Sequence, residues 1–251
     1  MVALMDLEIL LPEIEAAAVR GWPAPEAVAV DGWLWRHASG GSIRANTVAT
    51  LAYSGADLDA SIARIEQLAQ SRGVSACFNV SDVLEPADLD ARLAARGYIR
   101  GTDHVTMAKR VDPRTTSPAD VDVSARPASG WLDAYLSGLT LDRRPVAPAI
   151  LERLPKSAIY IGARINNQII SSGLTIPDGT LASVQCMATL PGAQRQGGAH
   201  RVLEAIEHAA AHNGQTALYL QTDADNHAAQ ALYRRAGFTI IGHYHTRTKR
   251  V

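Results

Sequence analysis

Between an alternating run, Leu181 to Ala188, and an amphipathic run that reads as a helix over about Gln196 to His212, the chain carries Pro191-Gly192-Ala193-Gln194-Arg195-Gln196-Gly197-Gly198-Ala199. A short loop of small residues at a strand-to-helix corner leaves several backbone N–H groups unshielded and pointing one way. The helix dipole adds partial positive charge at the same place. Such a corner holds an anion, and its breadth suits a phosphate or pyrophosphate. The sequence therefore predicts a strand, an anion-binding turn and a helix in that order, and a phosphorylated ligand.

The 251 residues allow one large domain or two of about 125 each. A net charge of −1 gives no reason to expect nucleic acid or an anionic membrane as partner. Asp6 and Glu8 interrupt the apolar N-terminus with no basic residue before them, which is not a secretory signal. No apolar run is long enough to span a bilayer. Cys77 and Cys186 share no motif, so they read as reduced thiols of a cytoplasmic protein rather than a disulfide or a metal site.

Along the chain, Asp6 to Arg20 reads as a helix broken in pattern by Pro12. Val28 to His37 and Arg44 to Ala52 read as strands, and Asp57 to Arg72 as a helix stopped by Gly73. Ser75 to Val80 is a strand, Pro86 to Arg96 a helix, and Tyr98 to Lys109 extended. Val111 to Asp122 is polar, holds Pro113 and Pro118, and reads as a linker. Beyond it come a short strand, a helix capped by Ser129, and a hairpin over Asn166-Asn167. The glycine loop and its helix follow, then a strand at Leu218 to Thr222, a helix at Asn226 to Ala236 and a last strand from Phe238.

A weak repeat joins the two halves. Ala91 to Tyr98 ends a helix at Gly97 and leads into a strand closing with Lys109-Arg110; Ala231 to Phe238 does the same at Gly237, and its strand closes with Lys249-Arg250. Only the second copy has clustered glycines at the anion corner.

At Gln194-Arg195-Gln196-Gly197-Gly198-Ala199 and at Asn226 to Phe238, the half from 121 to 251 resembles the GNAT superfamily of acyl-CoA-dependent N-acyltransferases. The first stretch matches its Gln/Arg-x-x-Gly-x-Gly/Ala motif; the second matches its asparagine followed by a helix ending in aromatic and Gly-Phe positions. The resemblance implies an α/β fold of tandem GNAT-like domains, each a mixed, mostly antiparallel sheet flanked by helices. Residues 1–112 would be a degenerate copy and 121–251 the catalytic domain. It implies acetyl-CoA as acyl donor, with Met187, Ala188 and Thr189 beside its pantetheine arm. Gln194, Arg195, Gln196, Gly197, Gly198 and Ala199 would hold the pyrophosphate, and Asn226 would contact the cofactor from the next helix. Tyr233 matches the general acid that protonates the departing thiolate, a task a phenol can perform. Many relatives place a glutamate where this chain has Gln185, which cannot act as a base and could orient substrate instead.

The implied activity is direct transfer of an acetyl group to a primary amine of a small molecule or peptide. The alternative is a non-catalytic acyl-CoA-binding or sensing module. The acceptor, the oligomeric state and the role of the first half are not legible. Other candidates have plain readings: His208 and His212 as a solvated helix face rather than metal ligands, Asp223 and Asp225 as helix caps, and Cys186 as a core thiol. His243 and His245 could line a cleft or sit on an open sheet face. Trp22, Trp33 and Trp35 could form a substrate wall or pack in a core.

Overall fold

A computed structural model describes residues 7–251. Asp6, where the first helix was expected to start, lies outside them. The regular helix α1 runs Leu11–Arg20 with a proline in its first turn, the place where a missing N–H costs nothing. The chain divides into two compact units that are not contiguous in sequence. The first unit takes residues up to Thr106, Gln221–Asn226 and Ile240–Val251; the second takes Met107–Leu220 and His227–Thr239.

In the first unit, β1 (Glu26–Val30) and β2 (Trp33–His37) form a hairpin across Asp31-Gly32. Both turn residues have positive φ, 50° and 88°, as a two-residue turn of matching twist requires. Helix α2 (Leu58–Ser71), β3 (Ala76–Ser81) and α3 (Leu89–Ala95) follow, and then β4 (Ile99–Arg110), which enters the second unit at Met107. Ile62, Ile65 and Ala69 recur on one face of α2 and pack with Phe78, Leu89 and Leu93 around Trp33 and Trp35. Trp33 is fully buried and donates its Nε1–H to the Glu85 carbonyl at 2.8 Å. Trp22 is buried as well, so these tryptophans are core residues and not a substrate wall.

The second unit begins with β5 (Val121–Ser124), α4 (Trp131–Ser137) and α5 (Ala147–Leu151). Ser129 does not cap α4; Gly130, at φ 83°, occupies the N-cap. The hairpin β6 (Ile159–Ile165) and β7 (Gln168–Thr175) closes over Asn166-Asn167 as the sequence predicts, both at positive φ. Then come β8 (Pro177–Asp178), β9 (Leu181–Ser183), β10 (Gln185–Thr189), α6 (Gly198–His212), β11 (Ala217–Asp223), α7 (His227–Arg235) and β12 (Thr239–Lys249).

The expected single strand from Leu181 to Ala188 is two strands in two sheets. β9 pairs in parallel with β11, while β10 pairs antiparallel with β7 in the order β10-β7-β6-β5. The switch falls at Val184, whose N–H still bonds the Tyr219 carbonyl at 2.7 Å. Two residues later Cys186 turns to φ 53°, and the register slips between Gln185 and Ala188. That bulge bends the strand out of one sheet and into the other. Side-chain pattern cannot reveal it, because burial runs unbroken from Leu181 to Gln185 across the switch.

In the first unit β12 lies between β3 and β4, and it pairs with β3 antiparallel from Tyr244↔Ser81 to Lys249↔Ala76. The repeated helix ends are alike in detail. Tyr98 N–H bonds the Leu93 carbonyl and Gly97 N–H that of Ala94; Phe238 N–H bonds Tyr233 and Gly237 N–H bonds Arg234. Both are six-to-one helix stops with glycine in the left-handed region, at φ 82° and 91°. The matched bonds align Leu93 with Tyr233.

Candidate active site

The glycine corner lies in the second unit, at the end of β10. After Leu190 a short 3-10 turn spans Pro191–Ala193, and Arg195 and Gly197 take positive φ of 61° and 78°. Helix α6 starts at Gly198, two residues later than the amphipathic pattern predicts, because Gly197 is its left-handed N-cap. No side chain caps that end. Arg201 N–H bonds the Gly197 carbonyl at 3.1 Å, and the N–H groups of the turn before it have no partner within the helix. Residues Gln194 to Gly197 are exposed and Gly198 is buried. A Cβ on Gly198 would run into Ser171 Oγ and Ile170 Cδ1, so glycine there lets the helix start press onto β7. Ser171 Oγ is held by Thr189 Oγ1 at 2.8 Å, tying β7 to the last residue of β10.

The strand feeding the corner is also shaped by close approaches. Gly173 on β7 gives room to Val202 of α6 and to Met187; a Cβ there would meet both. Gly138, just past α4, lies against Ala188. Ser172 Oγ donates to the Cys186 carbonyl at 3.1 Å, which holds the bulge. Met187, Ala188 and Thr189 are all half-buried, so one side of this strand remains accessible. An isolated glycine inside a strand pattern signals such an approach, so Gly173 is legible in principle.

Gln185 sits at the start of β10, 7% exposed. It stands opposite Leu174, which stands opposite Tyr160, so the three side chains share one sheet face. Trp131 and Tyr135 of α4 pack there, Trp131 meeting Tyr160 edge-on at 5.0 Å. Trp131 Nε1–H is shared between the Ile161 and Gly173 carbonyls at 2.9 and 3.1 Å. Gln185 Nε2 donates to Ser183 Oγ at 2.9 Å, and Ser183 Oγ also accepts the Ile176 N–H. The Gln185 Oε1 is buried and has no partner among the described residues. Buried acceptors are nearly always satisfied, which makes this unpaired oxygen an exception.

Tyr233 lies on α7 in the same unit, 8% exposed, its ring 6.0 Å from Phe238. Burial pushes its phenol up to about 12. Tyr160 is also raised, by burial first and the nearby Cys186 thiol second. Asn226 immediately precedes α7 and belongs to the first unit, whereas the glycine corner belongs to the second.

The remaining candidates have structural roles. His208 Nδ1 lies 3.2 Å from the Thr115 carbonyl, and no group of three or more His, Cys, Asp or Glu among the described residues could hold a metal. Asp223 pairs with His104 Nδ1 at 2.9 Å. His243 and His245 line a cleft of about 410 Å³ in the first unit, together with Asp82, Asp90 and Arg100. His245 Nε2 lies 2.9 Å from Arg100 and 3.0 Å from Asp90. Burial, followed by the arginines, outweighs Asp90 and holds its pKa below the ordinary histidine value.

This strand-switching α/β architecture, with its uncapped glycine corner, has known counterparts. The family described as "Probable histone acetyltransferase Rv0428c C-terminal" matches residues 11–248. The chain belongs to that family, within the GNAT superfamily of N-acetyltransferases. Among curated relatives, "Uncharacterized N-acetyltransferase YobR" of Bacillus subtilis is 26% identical over 248 residues, covering 95% of this chain and 98% of the relative. A GCN5-related N-acetyltransferase from Kribbella flavida shares the fold at TM-score 0.71 and 14% identity, covering 95% of both chains. A tandem GNAT protein from the clavulanic acid biosynthesis pathway superposes at TM-score 0.63 and 16% identity, over 81% of this chain and 74% of its own. As a GNAT member the chain is an acyltransferase with a mixed sheet flanked by helices. No helix among its described residues is long and apolar enough to cross a membrane.

Proposed function

We propose that the second unit transfers an acetyl group from acetyl-CoA directly to a primary amine of a small molecule or peptide. The observation that carries this reading is the uncapped start of α6 at the glycine corner. It offers unshielded N–H groups, the positive end of a helix dipole and no side chain in the way. Gln194, Arg195, Gln196, Gly197, Gly198 and Ala199 would hold the pyrophosphate, and Met187, Ala188 and Thr189 would flank the pantetheine arm. The residues fit the group: the loop is open, and the one buried position in it is a glycine. Bound acetyl-CoA supplies an activated thioester carbonyl.

The chain's own residues then have two tasks, to place the amine and to manage protons. Tyr233, with a pKa near 12, keeps its proton at any working pH and can offer it to a departing thiolate. Gln185 cannot accept a proton, but its free Oε1 can accept a hydrogen bond from an amine N–H. The amine must therefore arrive already neutral. Positioning, rather than base catalysis, supplies the acceleration on this side of the reaction.

Residues 1–112 are read as a degenerate copy of the catalytic half, 121–251. Its corresponding helix α2 is capped internally: Asp57 accepts the Ala60 N–H at 3.1 Å, and Asp31 takes the Ser61 hydroxyl at 2.6 Å. The position matching Tyr233 is Leu93, with no exposed surface at all.

The test is release of free coenzyme A when the pure protein is given acetyl-CoA and a panel of primary amines. Turnover on at least one amine supports the proposal. Saturable binding with turnover on none favours the sensing module, a reading that the missing carboxylate at Gln185 supports.

A further inference from the structure

The most buried arginine of the first unit has no counterion among the described residues. Arg36 of β2 is 6% exposed. Its Nε donates to the Thr47 carbonyl at 3.2 Å and its Nη2 to Thr47 Oγ1 at 2.9 Å, which uses one edge of the guanidinium on neutral acceptors. Nη1 donates to no described residue. Other arginines of the unit, all more exposed, do have carboxylates: Arg64 has Asp31, Arg72 has Glu26 and Arg247 has Asp90. Burying a cation without a partner is strongly unfavourable, far more so than leaving a surface charge unpaired.

A second cation adds to the imbalance. Arg44 is linked to Arg36 through Thr47, whose hydroxyl lies 3.5 Å from the Arg44 carbonyl. Arg44 is half-buried, with its guanidinium carbon 4.3 Å above the centre of the Trp22 ring. Burial of Arg36, and after it the Arg44 charge, hold the Arg36 pKa down to about 10. Two residues before Arg44, the buried Ser42 Oγ accepts the Trp22 Nε1–H at 3.0 Å and keeps its own proton to donate.

We propose that Arg36 and Arg44, with Ser42 beside them, form a binding site for a small anionic group, a carboxylate or a phosphate, in the first unit. A bound anion supplies the charge that Arg36 lacks, and it takes Nη1 and the Arg44 guanidinium as charge-assisted donors. Trp22 provides the flat floor that keeps Arg44 in place. The site is separate from the glycine corner and stands whether or not that corner binds coenzyme A.

The test is thermal unfolding of the whole protein with sodium phosphate or sodium succinate titrated against sodium chloride at equal ionic strength. The expected result is a saturable rise in Tm of about 5 °C with at least one of the two probes. That rise should be absent in both Arg36→Met and Arg44→Gln, and the active probe distinguishes phosphate from carboxylate. Arg36→Met should unfold in chloride no earlier than the parent, since it removes an uncompensated buried charge. Should Arg36→Met fail to fold, Arg44→Gln decides alone. No saturable rise in the parent, or an equal rise in the folded variants, overturns the proposal.

Discussion

In the proposed reaction, Gln185 and Tyr233 divide the proton problem unequally. An amide at the position of a base means that only the neutral fraction of the acceptor reacts. Log kcat/KM should climb with unit slope as pH rises and level off at the acceptor's own amine pKa. Gln185→Glu should move that limb to lower pH, because a carboxylate can take the proton; a profile that does not follow the amine contradicts the role of Gln185. Tyr233→Phe should lower kcat by about 100-fold with little change in coenzyme A affinity. An unchanged rate removes Tyr233 from the chemistry. Burial raises the Tyr233 phenol from its ordinary 10.0 to about 12. Stability is therefore unaffected by this group below pH 10 and falls as pH rises from 10 through 12, where the unfolded chain gives up the proton more easily.

At the level of elements, the corner depends on how closely α6 approaches β7. Gly198→Ala places a methyl against Ser171 Oγ and Ile170, and should cost about 1–3 kcal/mol and weaken coenzyme A binding. Ser171→Gly in the same chain should recover part of the loss, which calorimetry and thermal unfolding read together. Asp90 on α3 ties that helix to β12 through Arg247 at 2.7 Å and His245 at 3.0 Å. The Arg247 hydrogen bonds, against an opposing burial effect, hold its pKa at about 2, below the ordinary 3.8 of an aspartate. Its contribution is therefore present above about pH 3.8 and lost as pH falls toward 2. Asp90→Asn should lower stability at neutral pH, with the difference closing near pH 2 in acid-unfolding curves. Most element types were legible, because helices such as α2 and α6 carry one apolar stripe, and glycines at 97 and 237 end helices by a local rule. The break at Val184 was not, since burial runs unbroken across the switch.

Across the whole molecule, the sequence repeat is visible where it is local and silent where it is not. The paired helix stops at Gly97 and Gly237 were readable as residues. That β12, from the end of the chain, lies between β3 and β4 in the first unit was not, because pairing over such a sequence distance leaves no local pattern. The orphaned Gln185 Oε1 was equally hidden; its significance comes from burial, which the residue type alone does not report. The two helix starts carry opposite chemistry. That of α2 is closed by Asp57 and Asp31, and that of α6 is open. A carboxylate at the first start repels a phosphate, while the second attracts one. The chain should therefore hold one molecule of coenzyme A, not two. Calorimetric titration of the intact protein with acetyl-CoA measures this directly: the account predicts saturation at one per chain, abolished or weakened by Gly198→Ala, and either no saturable heat or a stoichiometry of two contradicts it.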